Sequence, residues 1–328
     1  MQSRKTSADL WHQKPYYSLD AWCKNTYGRK LYKAALDIGC TCPNRDGTLD
    51  TRGCIFCSAG GSGDFAASRQ LSVTDQLNQA KALLSSKWTP EPGKPSLIAY
   101  FQAYTNTYGD PDRLLSCYEE ALSSPEVAGI SIATRPDCLS DMILEGLNRL
   151  RLLYPDRFIW IELGLQSIHD HTAARIRRGY PTSVFYDAAA KLHARELPFI
   201  VHLILGLPGE TRLDLLESIR AVNQVHPFGV KLQLLHILKG TDLALLYEAG
   251  KLPVLTQEEY LDLLTSCIAA LSPDICLHRV TGDGPRKLLI APQWSLSKRN
   301  VLNGLHALMK QRNLRQGDNY EPGTSYTL

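Results

Sequence analysis

Seven short runs of almost continuously apolar residues constrain the fold of this chain more than any other feature of its sequence. Runs of this length and composition are typical of parallel strands whose two faces are both covered. The runs are LYKAALDI (31–38), LIAYFQ (97–102), AGISIAT (128–134), FIWIELGL (158–165), FIVHLILGL (199–207), VKLQLLHIL (230–238) and ICLHRV (275–280). The sequence therefore predicts a parallel β-sheet inside an α/β fold.

Segments with helical periodicity separate these runs, and several begin with a hydroxyl residue that can cap the first backbone N–H groups of a helix. We predict helices that begin at Thr74, Ser140, Thr182, Thr211 and Thr256. Strands and helices that alternate in this way form a doubly wound sheet or a complete or partial barrel, of which we favour the partial barrel.

Charge is distributed unevenly along the chain. The net charge of the whole chain is +3, but residues 279–315 hold eight basic residues and one acidic residue, and the remainder carries −4. We predict an N-terminal extension (1–30), an α/β domain (31–283) and a basic helical tail (284–328). The tail favours a polyanionic partner, although a solvated basic helix explains it equally well.

Composition narrows the class of protein. With 44% hydrophobic and 21% charged residues the chain has enough apolar side chains for a large core. No run approaches the ~18 apolar residues that span a bilayer, and the N-terminus lacks an apolar signal sequence, so we expect a cytoplasmic protein with no membrane association. Nine cysteines in such a chain indicate metal binding or redox chemistry rather than disulfides.

The most informative segment is CTCPNRDGTLDTRGCIFCSAGGSGDFA (40–66), which follows the first predicted strand. Cys42, Cys54 and Cys57 have the spacing C-x11-C-x2-C, and Cys40 lies two residues before them. In parallel α/β folds, the loop after the carboxyl end of a strand lies on the face where active sites are built. These thiols are therefore placed for chemistry.

Four interpretations of these cysteines compete: a four-cysteine zinc site, a redox-active C-x-x-C pair, buried unliganded thiols and an iron–sulfur cluster. Zinc sites usually use two separated C-x2-C-like pairs, a redox pair is normally followed by a helix, and a polar glycine-rich loop buries thiols poorly. The cluster is favoured. A [4Fe–4S] cube held by three cysteines leaves one iron open to a cofactor, with Cys40 outside the ligand set.

The motifs of residues 30–285 resemble those of the YhcC/YtqA-type branch of the radical S-adenosylmethionine (SAM) superfamily. This branch is related to the radical SAM core of the elongator catalytic subunit and to MnmL-like enzymes of the tRNA wobble uridine. The matching segments are LDIGCTCPNRDGT (36–48), GCIFC (53–57), GSGDF (61–65), YFQAYTNTY (100–108), IATRPDC (132–138), ELGLQS (162–167), RRGY (177–180), ILGLPGET (204–211), HILKGT (236–241) and TGD (281–283). Cys40 stands where we expect an aromatic residue.

This resemblance implies a partial (β/α)6 barrel of the TIM type with a short basic C-terminal helical extension. It also implies a [4Fe–4S] cluster on Cys42, Cys54 and Cys57, with SAM bound to the open iron. Reductive cleavage of SAM would give a 5′-deoxyadenosyl radical that abstracts hydrogen from the substrate. The electron would come from an external one-electron donor such as flavodoxin or ferredoxin.

Residues at predicted strand ends are the candidates for SAM binding. Arg135 offers a guanidinium fork for the SAM carboxylate, although it could instead pair with Asp137. Glu162 and Gln166 could bind ribose hydroxyls, and the turn at Gly206 could form part of the adenine wall. The candidates that follow the second strand, where related enzymes contact the SAM amino group, are Gln102, Tyr104, Thr105 and Asn106.

Other candidates concern the substrate. His202 and Lys239 are candidate catalytic residues on the fifth and sixth strands, although a histidine in an apolar strand is equally often a core residue. Arg177 and Arg178 precede a glycine in a predicted turn and could meet substrate phosphate, or could simply be solvated. The tail cations that could grip RNA phosphates are Lys298, Arg299, Lys310 and Arg312.

The sequence thus predicts a radical SAM enzyme, and the resemblance points to tRNA as its substrate. The implied reaction shortens the 5-carboxymethylaminomethyl group of a wobble uridine to 5-aminomethyl. The alternatives are a radical SAM enzyme that acts on a small molecule or a protein side chain, and a non-catalytic iron–sulfur protein.

Overall fold

The computed structural model describes residues 10–84, 94–282 and 284–322. The chain divides into two compact units. The first unit comprises Arg29–Gly164 and Arg177–Phe199, and the second comprises Met1–Gly28, Leu165–Ile176 and Ile200–Leu328. Asp283 of the TGD motif lies outside the described residues, as do parts of the predicted N-terminal extension and tail and the last two residues of the first predicted helix.

Helices and strands alternate along the chain, as the apolar runs predict. In chain order they are α1 (Leu19–Tyr27), β1 (Tyr32–Leu36), α2 (Val73–Leu84), β2 (Leu97–Phe101), α3 (Pro111–Ser123), β3 (Val127–Thr134), α4 (Asp141–Leu153), β4 (Phe158–Gln166), α5 (Asp170–Arg175), α6 (Thr182–His193), β5 (Phe199–Leu205), α7 (Arg212–Gln224), β6 (Gly229–Leu234), β7 (Ile237–Leu238), α8 (Asp242–Glu248), α9 (Gln257–Ala270), β8 (Cys276–Arg279), β9 (Leu289–Ala291) and α10 (Lys298–Gln311).

The first unit is built on parallel strands in the order β1-β2-β3-β4. Ala34 of β1 pairs with Ala99 of β2, and Ile130 of β3 pairs with Ile159 of β4. Every residue of β2 is buried. A strand inside a parallel sheet is covered on both faces, which explains why its sequence is apolar without alternation.

The second unit contains the parallel strands β5, β6 and β8 in that order, and a separate antiparallel pair of β7 and β9. The prediction of one strand over 230–238 was therefore wrong. The chain leaves β6 after Leu234 and re-enters a different sheet at Ile237. A continuous apolar run cannot distinguish one buried strand from two successive ones, because it has no period to break.

Three of the predicted helix starts are confirmed. The side chains of Ser140, Thr211 and Thr256 each accept a hydrogen bond from the backbone N–H three residues ahead. At Thr211 and Thr256 the acidic residue at the third helical position also binds back to the cap, which completes a capping box.

The other two predicted starts were displaced. Helix α2 begins at Val73, and the hydroxyl of Ser72 rather than that of Thr74 accepts from the backbone N–H three residues on. Helix α6 has Pro181 at its N-cap, so Thr182 is its first residue rather than its cap.

The predicted helix of the basic tail is present as α10. Val301, Leu305 and Met309 lie on its buried face, at the helical spacing that the sequence indicates. Of the residues that the structure describes, none belongs to a helix long and apolar enough to cross a membrane.

Candidate functional site

The loop after β1 places three thiols of the first unit close enough to interact electrostatically. Cys54 interacts with Cys57 and Cys42, and Cys57 also interacts with Cys42. The pKa of Cys54 is raised to about 12, mainly by burial and to a smaller extent by the neighbouring Cys57. Burial also raises the pKa of Cys57, which the guanidinium of Arg45 opposes. Thiols in this position become thiolates when a metal supplies the compensating charge.

Cys40 faces a different environment. It is buried, and its electrostatic neighbours are Arg113, Asp37 and Cys117. Burial raises the pKa of its thiol to about 11. This position favours a ligand set of three cysteines rather than four.

Tyr104 and Gln102, two candidates for binding the SAM amino group, hold the cysteine loop. The backbone N–H of Tyr104 donates to the carbonyl of Gly61 at 2.8 Å, and its hydroxyl donates to the carbonyl of Ala59 at 2.6 Å. Gln102 Nε2 donates to the carbonyl of Ser62 at 2.6 Å. A Cβ atom at Gly61 would overlap the Tyr104 ring, so glycine is needed for this close approach.

Thr105 and Asn106 are buried behind this loop. Asn106 Nδ2 donates to the carbonyls of Phe101 and Ala133, both at 3.0 Å, and so ties the end of β2 to β3. Within the described residues, Asn106 Oδ1 is a buried acceptor that has no hydrogen-bond donor. Thr105 donates its backbone N–H to the carbonyl of Thr41, next to Cys42.

Arg135 follows β3 and lies beside the thiols. Its Nε and Nη2 donate to the two carboxylate oxygens of Asp137 at 2.9 and 2.7 Å. Its Nη1 is turned toward Cys42 Sγ, at 4.0 Å. The pairing with Asp137 that the sequence left open is therefore present, and Nη1 is the part of the guanidinium that faces the cysteine cluster.

Glu162 lies in the middle of β4 rather than near its end, because the strand continues to Gln166. The residue is 0% exposed, and its Oε1 accepts from Lys33 Nζ at 2.9 Å and from Ser131 Oγ at 2.6 Å. A carboxylate that is buried and paired in this way stabilises the interior of the sheet. The structure thus argues against the ribose-binding role predicted for it.

The surroundings of Arg178 also disagree with the role predicted for it. It is only 1% exposed, donates to the carbonyl of Tyr180 at 3.1 Å and to Thr182 Oγ1 at 2.9 Å, and stacks over the Tyr180 ring. Its burial makes it unsuited to an RNA phosphate. Arg177 Nε donates to the carbonyl of Gly53 at 3.0 Å, so this side chain fastens the RRGY turn to the cysteine loop.

The sequence reasoning assigned no role to Asn44, two residues after Cys42. Its Nδ2 lies 2.7 Å from the carbonyl of Arg177, 3.0 Å from that of Arg178 and 3.5 Å from Cys54 Sγ. The sequence signal that could have indicated it is an amide side chain two residues after Cys42, a candidate cluster ligand, in a polar loop.

The remaining candidates belong to the second unit. Gln166 ends β4 at a φ of +64°, and Gly206 has a φ of +89° beside Leu255. His202 on β5 is half-buried, with Nδ1 3.5 Å from Nε2 of Gln233 on β6. Lys239 is exposed and follows β7.

The cations of α10 are mostly open to solvent. Lys298, Arg299 and Lys310 are exposed, whereas the Arg312 guanidinium pairs with the Asp262 carboxylate at 2.6 Å. Arg312 thus helps to hold α10 against α9, and the exposed Arg299 and Lys310 are the better candidates for an anionic partner.

A second group of metal-ligating types occurs in the second unit. Single ligand atoms of His169, Asp214 and Glu217 lie within 4.8 Å of one another. Asp214 already accepts two hydrogen bonds from Thr211 in the capping box of α7, and His169 Nε2 lies 3.1 Å from the backbone carbonyl of Asp214. The start of α7 therefore accounts for this arrangement.

The donor set of the cysteine loop fits an iron–sulfur cluster. Thiolates are soft ligands that suit zinc, copper(I) and iron–sulfur clusters, whereas magnesium and calcium prefer oxygen. The three interacting thiols lie in a loop whose Gly61 lets Tyr104 pack directly against the backbone. A cluster held by these three cysteines would keep one iron for a second ligand.

Comparison with protein families gives two matches that together cover most of the chain. The model of the radical SAM superfamily matches residues 42–222, and that of the radical SAM C-terminal domain matches residues 227–311. The protein YtqA of Bacillus subtilis (strain 168) is 40% identical over 305 residues, which cover 93% of this chain and 92% of YtqA. YhcC of Escherichia coli (strain K12) is 36% identical over 271 residues, or 82% of this chain and 84% of YhcC.

A solved structure shares the fold. The Elp3 protein of the archaeon Methanocaldococcus infernus, with its N-terminus deleted, superposes with a TM-score of 0.64 at 16% identity. The match covers 87% of this chain and 64% of that one. Likeness at this identity establishes the fold alone, and it confirms the predicted partial barrel of the α/β class.

Proposed function

We propose that this chain, which belongs to the radical SAM superfamily of enzymes, modifies tRNA. Members of the superfamily bind a [4Fe–4S] cluster and SAM. The finer part of the proposal is the substrate: a wobble uridine whose 5-carboxymethylaminomethyl group is shortened to 5-aminomethyl. An external one-electron donor such as flavodoxin or ferredoxin would be the second partner.

In the proposed enzyme, Cys42, Cys54 and Cys57 hold the cluster. When bound, the cluster and SAM together supply a 5′-deoxyadenosyl radical that starts the reaction by hydrogen abstraction. The chain contributes binding and orientation. Tyr104 and Gln102 fix the shape of the cysteine loop through its backbone carbonyls. Arg135 keeps one nitrogen, Nη1, directed at the thiols, where it can meet an anionic group.

The observation that carries the choice of tRNA is the set of exposed cations on α10. Arg299 stands near the start of this helix and Lys310 near its end, and both lie opposite the buried face that carries Val301 and Leu305. Lys298, three residues before Val301, lies on the same side as that buried face. One face of the helix is therefore packed, and the other presents Arg299 and Lys310 to solvent, where they can bind phosphate. Phosphate contacts of this kind supply most of the affinity for a nucleic acid without reading its sequence.

The test is anaerobic. The enzyme is reconstituted with iron and sulfide, mixed with SAM and a strong reductant, and 5′-deoxyadenosine is quantified with and without tRNA that carries the carboxymethylaminomethyl wobble base. We expect formation to rise with this tRNA, alongside a lighter modified nucleoside. A Cys57→Ala variant provides the inactive control, and tRNA without the modification provides the substrate control. If the amount of 5′-deoxyadenosine formed does not depend on tRNA, the substrate proposal is overturned and the superfamily assignment remains in place.

A further inference from the structure

Asn44 connects the cysteine loop to the turn at Arg177–Gly179, far away in sequence. Its amide nitrogen has two hydrogens and three acceptors within reach: the carbonyls of Arg177 and Arg178 at 2.7 and 3.0 Å, and Cys54 Sγ at 3.5 Å. The two carbonyls also fix the orientation of the amide, because a flipped side chain would place its oxygen against theirs. The nitrogen must therefore be the atom that faces Cys54.

Two further contacts hold this amide in place. Arg177 Nε donates to the carbonyl of Gly53, and the backbone N–H of Gly53 donates to the carbonyl of Asn44 at 2.7 Å. Gly179, at a φ of +85°, lies so close to Asn44 Oδ1 that a Cβ atom there would overlap it. Asn44 itself is 1% exposed, and its Oδ1 has no hydrogen-bond donor among the described residues.

We propose that Asn44 is a positioning residue that aims an N–H group at the Cys54 sulfur and thereby raises the reduction potential of the cluster. Hydrogen bonds to the sulfur ligands are one of the factors that set the potential of an iron–sulfur cluster, because they stabilise the extra negative charge of the reduced state. The amide has two hydrogens for three acceptors, and Cys54 Sγ is one of the three atoms within hydrogen-bonding distance of its nitrogen. This inference rests on the cluster of the superfamily and is independent of the tRNA substrate.

The neighbouring cations do not replace this donor. Arg45 Nη2 donates to the carbonyls of Cys57 and Ser58 at 2.8 and 2.7 Å, and so it supports the backbone of the loop. Arg135 Nη1 approaches Cys42 rather than Cys54. Asn44 is therefore the side chain whose loss removes a neutral hydrogen-bond donor from Cys54 without removing a charge.

The experiment compares Asn44→Leu with Arg177→Met in the reconstituted enzyme. Leucine keeps the shape of the asparagine and lacks its donors. The Arg177 variant breaks the bond to the Gly53 carbonyl and weakens the same attachment without changing the donor to sulfur. Iron and sulfide content, thermal unfolding and the midpoint potential from a redox titration monitored by electron paramagnetic resonance are measured for each.

We expect Asn44→Leu to bind a cluster whose ratio of reduced to oxidised form at a fixed potential falls about tenfold. For a one-electron couple this corresponds to a midpoint about 59 mV more negative. Arg177→Met is expected to keep the wild-type midpoint. An unchanged midpoint in Asn44→Leu, or an equal shift in Arg177→Met, would overturn the proposal, because the amide would then act only through the shape of the loop.

A second variant decides the question if Asn44→Leu fails to hold a cluster. Gly179→Ala retains the asparagine but forces a methyl group against its Oδ1, which pushes the amide off its position. We expect a cluster with a more negative midpoint here as well. A loaded Gly179→Ala enzyme with the wild-type midpoint would count against the role of Asn44, whatever its activity on tRNA.

Discussion

Gly61 and Tyr104 form a contact that only a glycine permits. Gly61 adopts a φ of +57°, and the Tyr104 ring lies directly over its Cα. Tyr104 has a φ of +61°, which is uncommon for a bulky residue and costs of order 1 kcal/mol or more. Two hydrogen bonds from Tyr104 to the loop offset this cost. The loop that carries Cys57 is thus shaped by a residue that binds no metal itself.

Gly61→Ala should therefore reduce cluster binding. The added methyl group must displace either the tyrosine or the loop, so we expect several-fold less iron and sulfide per chain after reconstitution. Gly39→Ala is the matched control. Gly39 also has a positive φ, +73°, but a Cβ atom there would meet nothing within 4 Å. Its substitution should cost roughly 1 kcal/mol of stability and leave cluster content unchanged. Equal iron content in both variants would contradict the role of this contact.

Glu162→Gln tests whether this residue is structural. The substitution leaves the half-buried Lys33 ammonium without its carboxylate, so we expect a loss of about 3 kcal/mol in the free energy of unfolding and an unchanged dissociation constant for SAM. Glu126→Gln, which breaks the more exposed pair with Lys81, should cost about 1 kcal/mol or less. Urea denaturation and equilibrium dialysis of SAM measure both quantities. Weaker SAM binding at full stability would restore the ribose-binding role.

At the scale of elements, sequence reasoning succeeded where one local signal decides. Capping boxes at Thr211 and Thr256 are local in sequence, and so both helix starts were predictable. The end of β6 was not, because the change to the β7–β9 pair depends on Leu289–Ala291, far along the chain. The same reason explains why the three loop cysteines could be predicted as candidate cluster ligands and Asn44 could not. The spacing of the cysteines can be seen within one loop, whereas the acceptor of Asn44 lies 133 residues away.

Helix α10 carries the element-scale prediction. Replacing Arg299 and Lys310 with glutamine should weaken tRNA binding and flatten its dependence on salt. Each lost phosphate contact reduces the slope of log affinity against log salt by ~0.9 for a duplex, so we expect a reduction of about two. Lys191 and Lys251 are exposed but outside the basic segment, and the same double change there is the control. A slope equal to that of the wild type would remove α10 from the RNA interface.

For the molecule as a whole, His236 makes stability depend on pH. It is packed against Gly282 and contacts Ser295 Oγ at 3.0 Å. Burial, followed by the charges of Arg279 and Lys298, lowers its pKa from 6.5 to about 4. The folded state thus holds this histidine neutral at a pH where the unfolded chain binds a proton. The contribution of the neutral His236 to the free energy of unfolding is therefore fully present above about pH 6.5 and is lost as the pH falls toward 4.

The free energy of unfolding is expected to fall by about 3 kcal/mol over this range, because the pKa of His236 shifts from 6.5 to about 4 and one pKa unit corresponds to about 1.4 kcal/mol. Burial raises the pKa of Glu210, which acts in the opposite direction, so wild-type data alone do not isolate the histidine. The difference between wild type and His236→Gln does. Glutamine keeps a donor for Ser295 but does not titrate, and we expect its free energy of unfolding to fall less between pH 6.5 and 4. Parallel curves for the two proteins would mean that His236 is solvated rather than buried against Gly282.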